Sequence, residues 1–412
     1  MQTMRLSPRR ALILATSTLA LVSLACGAVV DIAPTSAPAH EEPAPEPTQV
    51  PTPTTVRSEE APQKPDEPSP APAVSATDIP TPPPPANWQS VPDLPRQIND
   101  LVVDPNDPQT VYAGTGLSGA GSGVYKSEDG GLTWSKAANG LPSEDVRALG
   151  FSHTDPVTLY AAVGHRGDLF ASTDGAQSWA RVGSYGLTGF EARLAVAPSD
   201  GNVLFVTEDV RAVYRSLDGG RNWLEVGEGL PKDDNDTVKS QSLAIDPTNA
   251  NVIYVGTGWR ASNGNGVYKS TDCGETWSPA NRGMIDYGIT ALAVNPLDSQ
   301  VIYAGGANGE LFKSTDAGEN WTDLTAALPT GDSFHQRMLD IVLDPNAPET
   351  VYLLHEHAGV LVSHDGGAGW RLLGKPSEIE YPSFTALTVL FGPRPVVVAG
   401  IRDEGGWRYA LE

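Results

Sequence analysis

One eight-residue segment recurs six times, and that recurrence limits what the chain can fold into more than any other feature. The pattern Ser-x-Asp-x-Gly-x-Thr/Asn-Trp occupies residues 127–134, 172–179, 216–223, 270–277, 314–321 and 363–370. The second copy has Ala176 and Ser178 at the fifth and seventh places, the fourth has Cys273 at the fourth place, and the last has Gly369 at the seventh. Each copy lies at the end of a unit of 44 to 54 residues. In the fifth unit, residues 289–294 alternate like a strand and 295–298 read as a turn. Residues 301–304 make a second strand, 307–309 a second turn and 310–314 a third strand. The repeated segment then turns the chain, and Trp321 opens a fourth strand.

Four short antiparallel strands per unit, joined by Gly, Asp and Pro turns, are the pattern of a propeller blade. The expected fold is therefore all-β, a β-propeller of four-stranded antiparallel blades over residues 87–412. The segment explains itself structurally. Its Asp and Ser side chains can bond nearby amides and fix a tight turn, and its Trp supplies a wide apolar face for packing between sheets. Asp129, Asp174, Asp218, Asp272, Asp316 and Asp365 are accordingly read as turn-forming residues, not as catalytic or calcium-binding ones. After Trp370 the chain has strand-like runs at 384–390, 395–399 and 407–411, then stops one strand short. The missing strand is at the other end, where Asn87-Trp88-Gln89-Ser90-Val91 matches Asn222-Trp223-Leu224-Glu225-Val226. Seven blades are expected, the N-terminal strand completing the last and removing a free sheet edge.

The repeated segment resembles the Asp-box, or bacterial neuraminidase repeat. With the Asp104-Pro105-Asn106 and Val111-Tyr112-Ala113-Gly114-Thr115 type of unit, the whole of 87–412 resembles several propeller families. They are the sialidases, the xyloglucan-active glycoside hydrolases, the sortilin receptor propeller and the lumenal photosystem II assembly factor. Such a resemblance implies a fold and leaves function open. Sialidases use an early Arg-Ile-Pro-type motif and six blades; the chain has Pro95-Arg96, in the wrong order. The xyloglucan-active enzymes place a catalytic Asp after the second strand of an early blade. The first blade has Thr115-Gly116 there, while Glu208, Asp209, Asp403 and Glu404 occupy similar places in the third and seventh. Glycoside hydrolysis needs two carboxylates flanking the bond, so these four are the candidates if the chain is an enzyme. The photosystem factor resemblance implies an arginine-rich binding face, and no such clustering is visible along the sequence. The sortilin resemblance lacks the cysteine-rich module that follows that propeller.

The N-terminus reads as an address. Arg5, Arg9 and Arg10 precede an apolar run over 11–25, the layout of a secretory signal, too short for a comfortable membrane span. Val22-Ser23-Leu24-Ala25-Cys26 resembles a bacterial lipobox, which implies a diacylglycerol on Cys26 and an extracytoplasmic, membrane-anchored lipoprotein. Residues 1–26 are thus the signal. Residues 27–86 hold 17 of the chain's 36 prolines and almost no aliphatic pattern. They are expected to be a disordered tether, reaching up to about 190 Å at polyproline-II spacing. Cys273, the one remaining cysteine, is expected to be unpaired.

Fifty acidic residues against 27 basic ones give a net charge of −23. That balance argues against nucleic acid, which needs clustered Lys and Arg, and favours neutral, cationic or polyhydroxylated ligands. A functional site is expected on the face opposite the Asp-boxes, where the second-to-third turns and the inter-blade links surround the channel mouth. The loops 116–122 and 258–265 are enlarged there. Trp259 could stack on a sugar or peptide, with Arg260 and Asn263 beside it and Tyr287 and His335 on the same rim. His165, Arg166, the acidic run 233–236 and His355-Glu356-His357 are further rim candidates, read as structural rather than as metal sites. No cofactor or metal is implied, and a monomer is expected. The expected partner is a protein or polysaccharide, bound without catalysis; the alternative is a glycoside hydrolase acting through the loop-face carboxylates.

Overall fold

The computed structural model describes residues 88–411, except 117–120, 143–144, 155, 187–191, 209–211, 234–236, 259–265, 285–287 and 330–335. The expected signal (1–26) and tether (27–86) lie outside the described residues. The rest is a seven-bladed propeller, all-β apart from a 3-10 turn at Thr325–Ala327. The inner strands of blades 1 to 7 are Ile98–Asp104, Val146–Ser152, Ala192–Ala197, Ser240–Ile245, Ile289–Val294, Met338–Leu343 and Phe384–Leu390. Each pairs antiparallel with the next strand in sequence, and so outward to the fourth. Among the described residues no helix is long and apolar enough to cross a membrane.

The seventh blade closes as expected. Trp88–Val91 pairs antiparallel with Gly405–Ala410, with Trp88 opposite Tyr409 and Val91 opposite Gly406. The Trp88 ring lies 5.4 Å from Tyr409 and 6.5 Å from Phe384, and its Nε1 donates to the Leu373 carbonyl at 3.3 Å. Both ends of the propeller are thereby in one sheet.

All six Ser–Asp turns share one geometry. In the first, Ser127 Oγ donates to Asp129 Oδ1 at 2.8 Å and accepts from the Gly131 amide at 2.9 Å. Asp129 in turn accepts from the Thr133 amide and from Thr133 Oγ1. Gly369 lacks a side chain, so Asp365 keeps only the amide of that pair. These bonds hold the Asp129 carboxyl at about 2: burial pushes up, and the Thr133 hydroxyl and amide and the Ser127 hydroxyl outweigh it. The turn forces positive φ at its fourth position, usually glycine; Cys273 (62°) and Ala317 (56°) sit there as strained exceptions.

The residue at this fourth position also links the blades. Its carbonyl accepts from a cation on the third strand of the preceding blade: Arg215 to Cys273 at 2.8 Å, Lys269 to Ala317 and Lys313 to Gly366 at 3.0 Å, and Arg408 to Gly130 at 3.0 Å. Tyr254 and Tyr303 donate to the same carbonyls as the two lysines. Cys273 is fully buried between blades 3 and 4. Contrary to the expectation of a free thiol, it is disulfide-bonded, and no cysteine is free among the described residues. Its partner lies outside the described residues.

Candidate functional site

A cavity of about 450 Å³ opens at the channel mouth on the face opposite the Ser–Asp turns, and all seven blades contribute to its wall. Its volume falls within the usual range for ligand sites. The wall is built by a repeated irregularity. In six inner strands the ladder skips one residue just after it begins: Asn99, Arg147, Gln241, Thr290, Leu339 and Thr385 are each an extra residue without a cross-strand partner. A β-bulge re-aims the side chain it carries, and every one of these six lines the cavity. Blade 3 has regular pairing at this place and contributes Arg193.

Some bulge residues also stitch blades together. Asn99 Nδ2 donates to the Gly116 and Val146 carbonyls at 2.8 and 2.9 Å, joining blade 1 to blade 2. Thr290 Oγ1 donates to the Met338 carbonyl at 2.6 Å, joining blade 5 to blade 6. The wall also carries charge. Arg147, Arg193, Arg337 and Arg402 come from blades 2, 3, 6 and 7 and line one cavity, in whose wall Asp145 is the single carboxylate among the described residues. Arg147 Nη2 is 2.5 Å from His165 Nδ1, and His165 Nε2 is 4.0 Å from Asp145. Arg337 pairs with Glu356 at 3.5 Å. This corrects the expectation that arginines do not cluster: four gather at one cavity although the chain is acidic, because net charge says nothing about where charges gather.

Next to Asn99 and Leu339 in sequence are two half-buried acids, Asp100 of blade 1 and Asp340 of blade 6. Asp100 Oδ2 accepts from the Leu149 amide and Oδ1 from the Leu101 amide, both at 2.8 Å. Asp340 accepts from the Ile341 amide at 2.8 Å. Burial raises both carboxyls, Asp340 to about 6, while Arg193 pulls both down.

The cavity lies on the face to which the sequence pointed. Trp259, Arg260, Asn263, Tyr287, His335 and Asp209 lie outside the described residues. Glu208 is buried at the end of Asp200–Glu208, with 2% of its surface exposed. Asp403 and Glu404 are exposed on the turn after Val396–Ile401, next to Arg402. None of these three is part of the cavity wall. His165 does line it, whereas Arg166 is exposed. Asp233 is engaged by Thr237 and by Lys239 at 3.1 Å. His355 Nδ1 accepts from the Ala358 amide, while His357 Nδ1 lies 3.0 Å from the Pro382 carbonyl, so the two imidazoles do not converge. No metal-binding cluster occurs among the described residues.

No family model matches the chain. It is similar to a probable oligoxyloglucan-reducing end-specific xyloglucanase of Neosartorya fischeri, 27% identical over 48% of this chain and 26% of that protein. It is also similar to the photosystem II assembly lipoprotein Ycf48 of a Synechococcus species, 24% identical over 69% of this chain and 78% of that protein. The chain thus spans about a quarter of the first relative's length and most of the second's. Among solved structures, YCF48 from Cyanidioschyzon merolae superposes with a TM-score of 0.56 at 18% identity, covering 79% of this chain and 99% of that one. YCF48 bound to D1 peptide gives 0.55 at 17% identity, covering 79% and 96%. The GH74 xyloglucanase of Xanthomonas campestris gives 0.58 at 18%, covering 78% of this chain and 53% of that enzyme. At these identities the structural likeness speaks to the fold.

Proposed function

We propose that this chain is a non-catalytic binding module that holds an extended, carboxylate-bearing segment of a protein partner in the seven-blade cavity. The observation that carries this reading is the wall: among the described residues, four guanidinium groups against one carboxylate. Guanidinium groups match carboxylates in charge and shape. A similar propeller has been solved with a peptide bound, which supports a protein ligand over a glycan. The lipobox reading places the module outside the cytoplasm, on a diacylglycerol at Cys26 and the 27–86 tether.

The test is direct binding of acidic peptides, compared with R147A, R337A and the double variant. Losses of about tenfold or more per arginine are expected for a desolvated charge pair; peptide affinity untouched by the double variant would sink the reading. The alternative, a glycoside hydrolase, is supported by the xyloglucanase similarity and by Asp403 and Glu404 near the cavity face. Turnover of xyloglucan oligosaccharides, lost in D403N or E404Q, would replace the binding proposal with it. For the anchor, C26S should leave the membrane fraction. The mass of the mature protein shows whether Cys26 carries the diacylglycerol.

A further inference from the structure

We propose that His165 is the positioning residue for Arg147: its neutral imidazole holds the guanidinium in the cavity wall, ready for an anion. The inference rests on the anionic-ligand reading above and adds to it how one arginine of that site is fixed.

A bulge residue needs such a hold. Arg147 is the unpaired residue of Val146–Ser152, so the ladder fixes its backbone and leaves the long side chain to find its own place. Ordering a side chain of that length on binding costs affinity unless it is ordered beforehand. His165 reaches it from the turn between Thr158–Val163 and Asp168–Ser172. That turn is itself tied down, because the Gly164 amide donates to the Asp145 carbonyl at 2.8 Å, two residues before Arg147. On this frame Arg147 Nη2 stands 2.5 Å from His165 Nδ1, and both residues line the cavity. Arg147 is buried, while the His165 side chain is 58% exposed. The imidazole thus braces the guanidinium from the solvent side.

The chemistry of the pair fixes the tautomer. A guanidinium has donors and no acceptor, and it keeps its protons in proteins. Arg147 therefore donates, and His165 Nδ1 accepts. A neutral imidazole with a bare Nδ1 carries its proton on Nε2. Nε2 is turned toward the Asp145 carboxylate, 4.0 Å away, which favours an N–H at that place. A doubly protonated ring would set an N–H against the guanidinium, so the contact belongs to the neutral form. Glu356, 3.5 Å from Arg337, holds its arginine with a negative charge. The neutral ring of His165 holds Arg147 without bringing one of its own.

The probe is a rhodamine-labelled peptide of alternating glycine and aspartate, titrated at pH 8, above the usual imidazole range. H165L has no acceptor and should bind about three- to tenfold more weakly, the scale of ordering one long side chain on binding. H165N places an amide oxygen where Nδ1 stood and should bind within about twofold of the wild type. R147A and R147A/H165L should bind alike, since His165 acts through Arg147. Without any ligand, 15N spectra of the imidazole at pH 8 should show Nδ1 bare and Nε2 protonated, the signals being assigned by their loss in H165N. The Nδ1 signal should move in R147A, which removes its donor. This readout does not depend on how H165L folds. A proton on Nδ1, an H165L protein that binds as tightly as the wild type, or an H165N protein as weak as H165L overturns the positioning role and leaves the anion site standing. A loss that H165L still causes in the R147A background also overturns it, since His165 then meets the ligand itself. If R147A binds like the wild type, the anion-site reading fails and the positioning role with it.

Discussion

Arg408 donates to the Gly130 carbonyl at 3.0 Å across 278 residues of sequence, and so fastens the last blade to the Ser–Asp turn of the first. The same bond recurs between blades 3 and 4, 4 and 5, and 5 and 6. Velcro-like closure by the N-terminal strand thus has a second, side-chain layer. R408M should destabilise the propeller by about 1–2 kcal/mol, the scale of a charge-assisted hydrogen bond, and K269M by a similar amount. Equal denaturant midpoints for R408M and wild type would show that the ring does not depend on this clasp.

Removing 88–91 takes away the outer strand of blade 7 and the Trp88 contacts with Tyr409 and Phe384. The expected cost is at least 3 kcal/mol, on the scale of losing a large core aromatic. A truncation that leaves these residues and removes 27–80 should melt like the full chain. The measurement is thermal unfolding of both forms, and it fails if the two truncations behave alike.

The Ser–Asp turns should set the acid limit of the fold. The Asp129 carboxyl is held at about 2, below the ordinary 3.8, as is Asp174, whose Ser178 hydroxyl and amide and Ser172 hydroxyl are the causes. A depressed carboxyl stabilises the fold above its unfolded value and loses that contribution as pH falls through the folded one. Wild type should therefore lead D129N and D174N in melting temperature at pH 7. The lead should shrink between about pH 4 and pH 2. A lead independent of pH would mean the turns hold by packing alone.

Asp340 runs the other way. Its carboxyl is raised, so its contribution is full below the unfolded value and is lost as pH rises from about 4 through about 6. D340N should match wild type at pH 4 and exceed it at pH 7, by roughly 1–3 kcal/mol for a shift of this size. Chemical denaturation at the two pH values tests it; a variant less stable than wild type at pH 7 would show that the ionised carboxylate is needed by the fold.

Ala317 holds φ at 56° where most copies of the turn have glycine. A317G removes strain of about 1–2 kcal/mol per left-handed residue, partly offset by the greater freedom of unfolded glycine. A net gain of up to about 1 kcal/mol is expected, read as a rise in melting temperature. No gain would place the relief in the Lys269 and Tyr254 bonds to its carbonyl.

The blades, the turn chemistry and the closure were all legible because each is local or periodic. A motif of eight residues states its own hydrogen bonds, and Trp88 keeps register with the array. The cavity was not legible from any single stretch. Arg147, Arg193, Arg337 and Arg402 lie in four blades, and they become neighbours only when the ring closes. The signal was present in another form. Residues 99, 147, 193, 241, 290, 339 and 385 recur every 46 to 49 positions, the period of the array itself. Stacking the units in register would have read this ring column by column. Searching for long loops and lone aromatics looked instead at the parts of the blades that vary most.

The bulge ring separates the chemistry of this molecule from its architecture. A residue outside the ladder can be exchanged without disturbing the bonds on either side of it, so each blade offers one nearly independent letter at the channel mouth. Here the word reads Asn, Arg, Arg, Gln, Thr, Leu, Thr from blade 1 to blade 7. Asn99 and Thr290 are exceptions, since they also join blades, and so is Arg193, which stays in the ladder opposite Thr207. A scaffold written this way can change what it recognises by spelling, one blade at a time, while the ring that displays the word stays the same.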